Sequence, residues 1–270
     1  VGRSAGKVSF AVNMACALLP ATGASTSAAP APGVVVGFTT TTSTTTGAVA
    51  GSAAVIVRAH DGQVAQARTA VRAAGGTIGA GLPIVNGFAA TLPAAALPGL
   101  AHVTGIASIT PDYEATTQSS SYNPYTDAGS SVGLSYDTGY IQYWNNGYTG
   151  AGIGVALIDS GVTPVPSLAA SGKVLYGLDL TPTGYFSQQS GLDGLGHGTF
   201  MASLIAGGPV AASGDTGVGV APAAHVVVVK VAGSNGRTRL SKVLAGLNWV
   251  ALHADDIQMV NLSLAVWRPT

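Results

Sequence analysis

Charged side chains are scarce in this sequence. They make up 8% of 270 residues, and eleven basic groups balance eleven acidic ones. Without a basic patch there is nothing to neutralise a row of phosphates, so nucleic acid is not an expected partner. Cysteine is almost absent: Cys16 stands alone, so no disulfide can form within the chain. Paired-cysteine metal words and HExxH are also missing, and His60, His102, His225 and His253 are scattered, which argues against a metal hydrolase. The apolar run Val8 to Leu19 is shorter than the roughly 20 residues that span a bilayer. No later segment is a better candidate, so no membrane is expected for the mature form.

Glycine is abundant, at 38 residues, about twice its average share of roughly 7%. Apolar residues reach 47%, enough for a globular chain with a sizeable core. Residues 1–29 carry Arg3 and Lys7, an apolar run and then small residues, the order of a secretory signal peptide. Asn13, three residues before Cys16, fits a lipid-attachment motif poorly. Residues 30–52 include TTTTSTTT and read as a Thr/Ser-rich linker.

Residues 53–116 read as one small α+β unit. AVIVRA is a strand, and Val64, Ala67, Val71 and Ala74 repeat at helical spacing before Gly75-Gly76. Two short strands are expected around Asn86-Gly87, then a helix broken by Pro98, then one closing strand IASITPDYEA. The order β-α-β-β-α-β is the split βαβ, or ferredoxin-like, arrangement. Beyond a polar, Tyr-rich stretch at 117–149 the pattern changes. GIGVALID, AHVVVVKVAG and IQMVNLSLAV read as buried strands, separated by helices at HGTFMASLIAGG and RLSKVLAGLNWVALHA. The second helix carries Leu240, Val243, Leu244, Leu247, Val250 and Ala251 on one face. Apolar strands alternating with helices predict a parallel sheet covered on both faces, a three-layer α/β domain over 117–270.

Ligands of open parallel sheets bind at the carboxyl ends of the strands. Asp159 closes the strand GIGVALID, and an acid so placed needs a partner. His197, set between Gly196 and Gly198 at a helix start, is the candidate. A carboxylate on one ring nitrogen fixes the tautomer and leaves the other to take a proton. The helix N-terminus disfavours the charged ring, which suits a base.

GYTGAGIGVALIDSGV, GLGHGTFMASLIAG, GVGVAPAAHVVVVKV and IQMVNLSL occur in this order, over about 147 to 266. Together they resemble the subtilisin-like serine proteases. The resemblance implies that Asp159 orients the histidine and His197 is the general base. It implies a peptide or protein substrate bound as an added strand, along Gly236-Arg237-Thr238 and Ser263-Leu264-Ala265. The 53–116 unit is similar to the family's inhibitory propeptide, an intramolecular partner. Self-cleavage is then expected between about 112 and 124, since exposed loops are favoured cutting sites. The precursor is expected to be secreted.

The chain departs from the pattern in several places. No Gly-Thr-Ser word occurs, and no residue matches the family's serine or oxyanion-hole asparagine. Asn261, Ser160 and Ser263 do not stand at those positions. The sequence therefore reads as the N-terminal part of a zymogen, inactive by itself. No cofactor is expected; a structural calcium stays open, although Ser167 stands where many relatives have a calcium-binding aspartate. Phe200 replaces a second histidine. Ala265 replaces a glycine, and its methyl is expected to crowd a bound backbone. The glycines of GAGIG precede their strand, out of place for a dinucleotide fingerprint. The open alternative is a non-catalytic inhibitor-like or inert fragment.

Overall fold

The computed structural model describes residues 12–14, 51–117, 138–182, 190–208 and 219–266. The first unit is a four-stranded antiparallel sheet with two helices. Its strands are β2 (Ser52–Ala59), β3 (Thr77–Leu82), β4 (Gly87–Pro93) and β5 (Ile106–Pro111), in the order β3-β4-β2-β5. Its helices are α1 (Val64–Ala73) and α2 (Leu97–Leu100). Val55, Val57, Ala67, Val71, Phe88 and Leu92 close its core. The turn at Asn86-Gly87 has a physical reason at each residue. Asn86 takes a left-handed φ of 50°, and its side-chain amide donates to the Ala59 carbonyl at 3.0 Å. At Gly87, a Cβ would lie 2.2 Å from the Val57 carbonyl oxygen.

Two expectations for this unit are corrected. Pro98 does not break the second helix; it sits in its first turn, where a missing N–H costs nothing. The closing strand is two strands, β5 and β6 (Glu114–Thr117), with Asp112 and Tyr113 between them. β5 pairs with β2 inside the unit, whereas β6 leaves it to join another sheet.

The second unit is built on a parallel sheet of order β1-β11-β7-β9-β8. These are β1 (Val12–Met14), β7 (Gly154–Asp159), β8 (Val174–Asp179), β9 (His225–Lys230) and β11 (Met259–Leu262). The sequence reading assigned no strand at 12–14; those residues pair with the outer edge of β11. β7 is buried along its whole length. Because successive side chains point to opposite faces, Ala156, Ile158, Val227 and Val229 form one core with Val243 and Val250 of α5 (Leu240–Leu252). Val155, Leu157, Val226 and Val228 form the other with Ala202 and Ala206 of α4 (His197–Ala206). The α5 face differs from the sequence reading: Gly246 is at its centre and Ala251 is exposed. A Cβ on Gly246 would meet Val229 at 3.1 Å, so glycine lets the helix lie close to the sheet. A short helix, α3 (Ile141–Asn145), precedes β7.

The final strand is also split. Ser263 separates β11, in the parallel sheet, from β12 (Leu264–Val266). β12, β6 and β10 (Arg237–Arg239) form a three-stranded antiparallel sheet with β6 in the middle. The first unit thus inserts its last strand into the second.

A candidate active site at the end of β7

Strand order reverses at β7: the chain runs next to β8 and β9 on one side and later to β11 on the other. Ligand crevices of open α/β sheets form at the carboxyl side of such a switch. Asp159 stands there, fully buried. Its Oδ1 accepts the Ser160 N–H at 2.7 Å and lies 2.7 Å from His197 Nδ1. An ionised carboxylate only accepts, so Nδ1 carries the hydrogen. Oδ2 has no hydrogen-bond partner among the described residues. The His197 side chain is 9% exposed. The structure therefore brings Asp159 and His197 together from positions 38 residues apart.

The two glycines around His197 serve different needs. Gly196 has φ of 98°, a left-handed turn into α4 with open space around it. Gly198 has an ordinary backbone, but a Cβ there would lie 2.0 Å from the Gly161 carbonyl oxygen. At this point the exit of β7 and the start of α4 meet backbone to backbone, with no room for a side chain on Gly198.

The loop that delivers His197 is tied down by groups from three strands. Asp179, at the end of β8, accepts the Gly191 N–H at 2.9 Å. Lys230, at the end of β9, donates to the Leu192 carbonyl. Ser160, just past β7, donates to Asp193 at 2.9 Å. Burial pushes the Lys173 ammonium below its ordinary pKa; it donates to the Pro222 and Ala224 carbonyls. Burial raises the Tyr176 phenol, which donates to the Val162 carbonyl at 3.0 Å.

Sequence reasoning missed Asp179, Asp193 and Lys230. Asp193 carried a readable signal, an acid just before a helix start. The other two did not, because the contacts they make are long-range.

Five of the six edge residues lie along β6. Thr117 donates its N–H to the Gly236 carbonyl at 2.9 Å. Arg237 and Thr238 pair with Thr116 and Ala115, and Leu264 and Ala265 pair with Thr117 and Thr116. Ser263 is not in the ladder; its hydroxyl accepts from Asn261 at 3.1 Å. Ala265 was expected to crowd a bound backbone, yet the β12–β6 register runs through it unbroken. Ala115 is fully buried among Ile158, Val231, Val243 and Leu264. Arg237 reaches Glu114 at 2.9 Å on the surface. Ser167 lies in a short turn and holds the Gly208 N–H through its carbonyl. Among the described residues no three His, Cys, Asp or Glu side chains cluster as a metal site.

This pair of units has relatives. Residues 150–269 match the Subtilase family, and residues 40–112 match the family described as "Putative peptidase inhibitor domain". Residues 150–269 are a subtilase domain segment. The inhibitor-type unit before it is a propeptide domain. Over 127 residues the chain is 37% identical to Subtilisin BL of Lederbergia lenta, covering 47% of this chain and 42% of that protein. It is 35% identical over 124 residues to the Minor extracellular protease Epr of Bacillus subtilis, covering 46% of this chain and 17% of that one. The chain thus spans less than half the length of these relatives. In fold, it superposes on fervidolysin of Fervidobacterium pennivorans, a keratinolytic enzyme related to subtilisin. The TM-score is 0.60 at 23% identity, over 81% of this chain and 37% of that one. The subtilase segment supplies β7 to β12, and residues 114–117, just past the inhibitor-domain match, supply the strand lying between β10 and β12.

Proposed function

We propose that this chain carries the acid–base half of a secreted serine endopeptidase precursor. In this reading Asp159 orients His197, and His197 takes the proton of a serine hydroxyl and later gives it to the leaving amine. The observation that carries the reading is the 2.7 Å Asp159–His197 bond at the end of β7, beside a groove that already holds an extended chain. Main-chain pairing with β10 and β12 suits a peptide substrate of extended conformation. Arg237, Thr238, Leu264 and Ala265 supply backbone edges, Gly236 supplies a carbonyl, and Ser263 borders the groove. β6 fills it as an intramolecular inhibitor. No Gly-Thr-Ser word occurs in the sequence, and this reading assigns the nucleophile's role to none of its residues. Secretion is supported by the basic and apolar residues of 1–29 and by the name of the extracellular relative. Among the described residues, no helix is long and apolar enough to cross a membrane.

The test is a casein-cleavage assay on the protein that contains this chain together with its serine-bearing half. Activity is expected. Asp159→Asn should lower kcat on the order of 10⁴-fold, the scale seen when a triad loses its acid. A fully active Asp159→Asn protein overturns the role of the acid. A second reading, a non-catalytic inhibitor-like assembly, is favoured for the 270 residues alone by the strand that occupies the groove. A serine-directed fluorophosphonate should leave this chain unlabelled.

A further inference from the structure

We propose that Asp193 is the positioning residue of the Asp159–His197 pair, acting through Ser160 and the first turn of α4. Its carboxylate is half-buried and collects five hydrogen bonds. Oδ1 accepts from the Ser160 hydroxyl at 2.9 Å, the Leu195 N–H at 2.9 Å and the Gly196 N–H at 2.9 Å. Oδ2 accepts from the Thr199 N–H at 2.8 Å and its hydroxyl at 2.7 Å. These partners bracket His197 on both sides in sequence.

The second arm leads to the acid. Ser160 donates its N–H to Asp159 Oδ1, donates its hydroxyl to Asp193, and accepts the Gly198 N–H at 3.0 Å. One hydroxyl therefore joins the residue after Asp159, the residue after His197 and Asp193. Thr163 closes the loop: its N–H meets Thr199 Oγ1 at 3.0 Å, and its hydroxyl accepts the Asp193 N–H at 3.2 Å and donates to the Asp193 carbonyl at 3.1 Å. A shift of Asp193 would therefore strain the supports of both members of the pair at once.

The network also answers an electrostatic question. Helix N-termini leave orphan N–H groups and a partial positive charge. Here Gly196 offers no side-chain cap, and the Gly198 and Thr199 N–H groups are taken by Ser160 and Asp193. The negative charge of Asp193 offsets the dipole that would otherwise act on His197. Burial by itself would raise this carboxyl; the bonds from Thr199, Gly196 and Leu195 outweigh it and hold the group below its ordinary value.

The proposal takes its functional meaning from the acid–base reading, but its test reads the imidazole and needs no peptidase activity. The probe is the His197 Nδ1 proton in the full 270-residue chain, followed by proton NMR and its exchange with water. The parent should show a slowly exchanging downfield signal. Asp193→Asn, which turns one acceptor oxygen into a donor, should speed exchange on the order of tenfold or erase the signal. Val250→Ala, which opens a cavity on the far face of the sheet, should lower the thermal midpoint and leave the signal in place. If Asp193→Asn and Val250→Ala behave alike at equal stability, Asp193 is merely structural and the proposal fails. Should Asp193→Asn not fold, Ser160→Ala carries the same test, because it cuts the arm to Asp159. Unchanged exchange there overturns the proposal. Absence of casein cleavage by the unsubstituted complete protein, with the Nδ1 signal present in this chain, would count against the protease reading instead.

Discussion

Gly198 shows how little room the pair has. A Cβ there would sit 2.0 Å from a backbone oxygen, which cannot rotate away as a side chain could. Gly198→Ala must part the exit of β7 from the start of α4. We expect a loss of about 1–3 kcal/mol in unfolding free energy, with the His197 Nδ1 signal lost, read by thermal denaturation and NMR. An unchanged signal would mean that the contact does not set the Asp159–His197 distance. Asp193 adds a pH dependence. Its folded pKa lies below its unfolded value of about 3.9, so the folded state binds fewer protons in that window. Its contribution is complete above the unfolded value and lost as pH falls through the folded one. The thermal midpoint should therefore drop in acid, and Asp193→Asn should flatten that drop. An equally steep acid limb in Asp193→Asn would assign it to other carboxylates.

At the scale of elements, α5 has an unusual cap. Arg239, at its N-cap position, makes no side-chain cap bond. Asp112 of the propeptide domain does the work instead, accepting the Ser241 N–H at 2.8 Å and its hydroxyl at 2.6 Å. Arg239 returns a bond to the Asp112 carbonyl at 3.0 Å. β3 and the turn at Pro83–Val85 lie against the same helix. The cap thus belongs to the joint between two units. Asp112→Ala should cost about 0.5–2 kcal/mol, the range for losing an N-cap. It should also raise the protease sensitivity of the 112–117 segment, measured by limited proteolysis. Denaturation and proteolysis both unchanged would show that the joint rests on β6 alone. The two split strands belong to this scale too. IASITPDYEA and IQMVNLSLAV each read as one continuous strand, because β propensity does not say which sheet a residue joins. Asp112 and Ser263 mark the points where the chain changes sheets.

At the scale of the whole molecule, the propeptide domain is joined to the subtilase segment by a strand it shares. Residues 114–117 are the middle strand of a three-stranded sheet, so their backbone is hydrogen-bonded on both sides. Self-cleavage was expected between about 112 and 124. We now predict that the first cut falls after Thr117, within 118–124, a stretch that lies outside the described residues. N-terminal sequencing of the processed form checks this. A mature chain beginning at or before Thr117 would mean that β6 does not mark the non-primed side of the cut.

The sequence by itself determined the kind of fold, because periodicity is local. Valine runs and helical spacing are enough to give a parallel sheet with covering helices, and the words around Asp159 and His197 are enough to suggest a pair. It also suggested which residues edge the strand pairing, through their resemblance to a known family. Only the tertiary structure decided that Asp159 and His197 meet, which glycine needs a positive φ and which needs space, and that Asp193 joins the two. These are contacts between residues tens of positions apart, and their distances depend on how three strand ends and one helix N-terminus pack. No local pattern encodes a spacing of 2.7 Å across 38 residues.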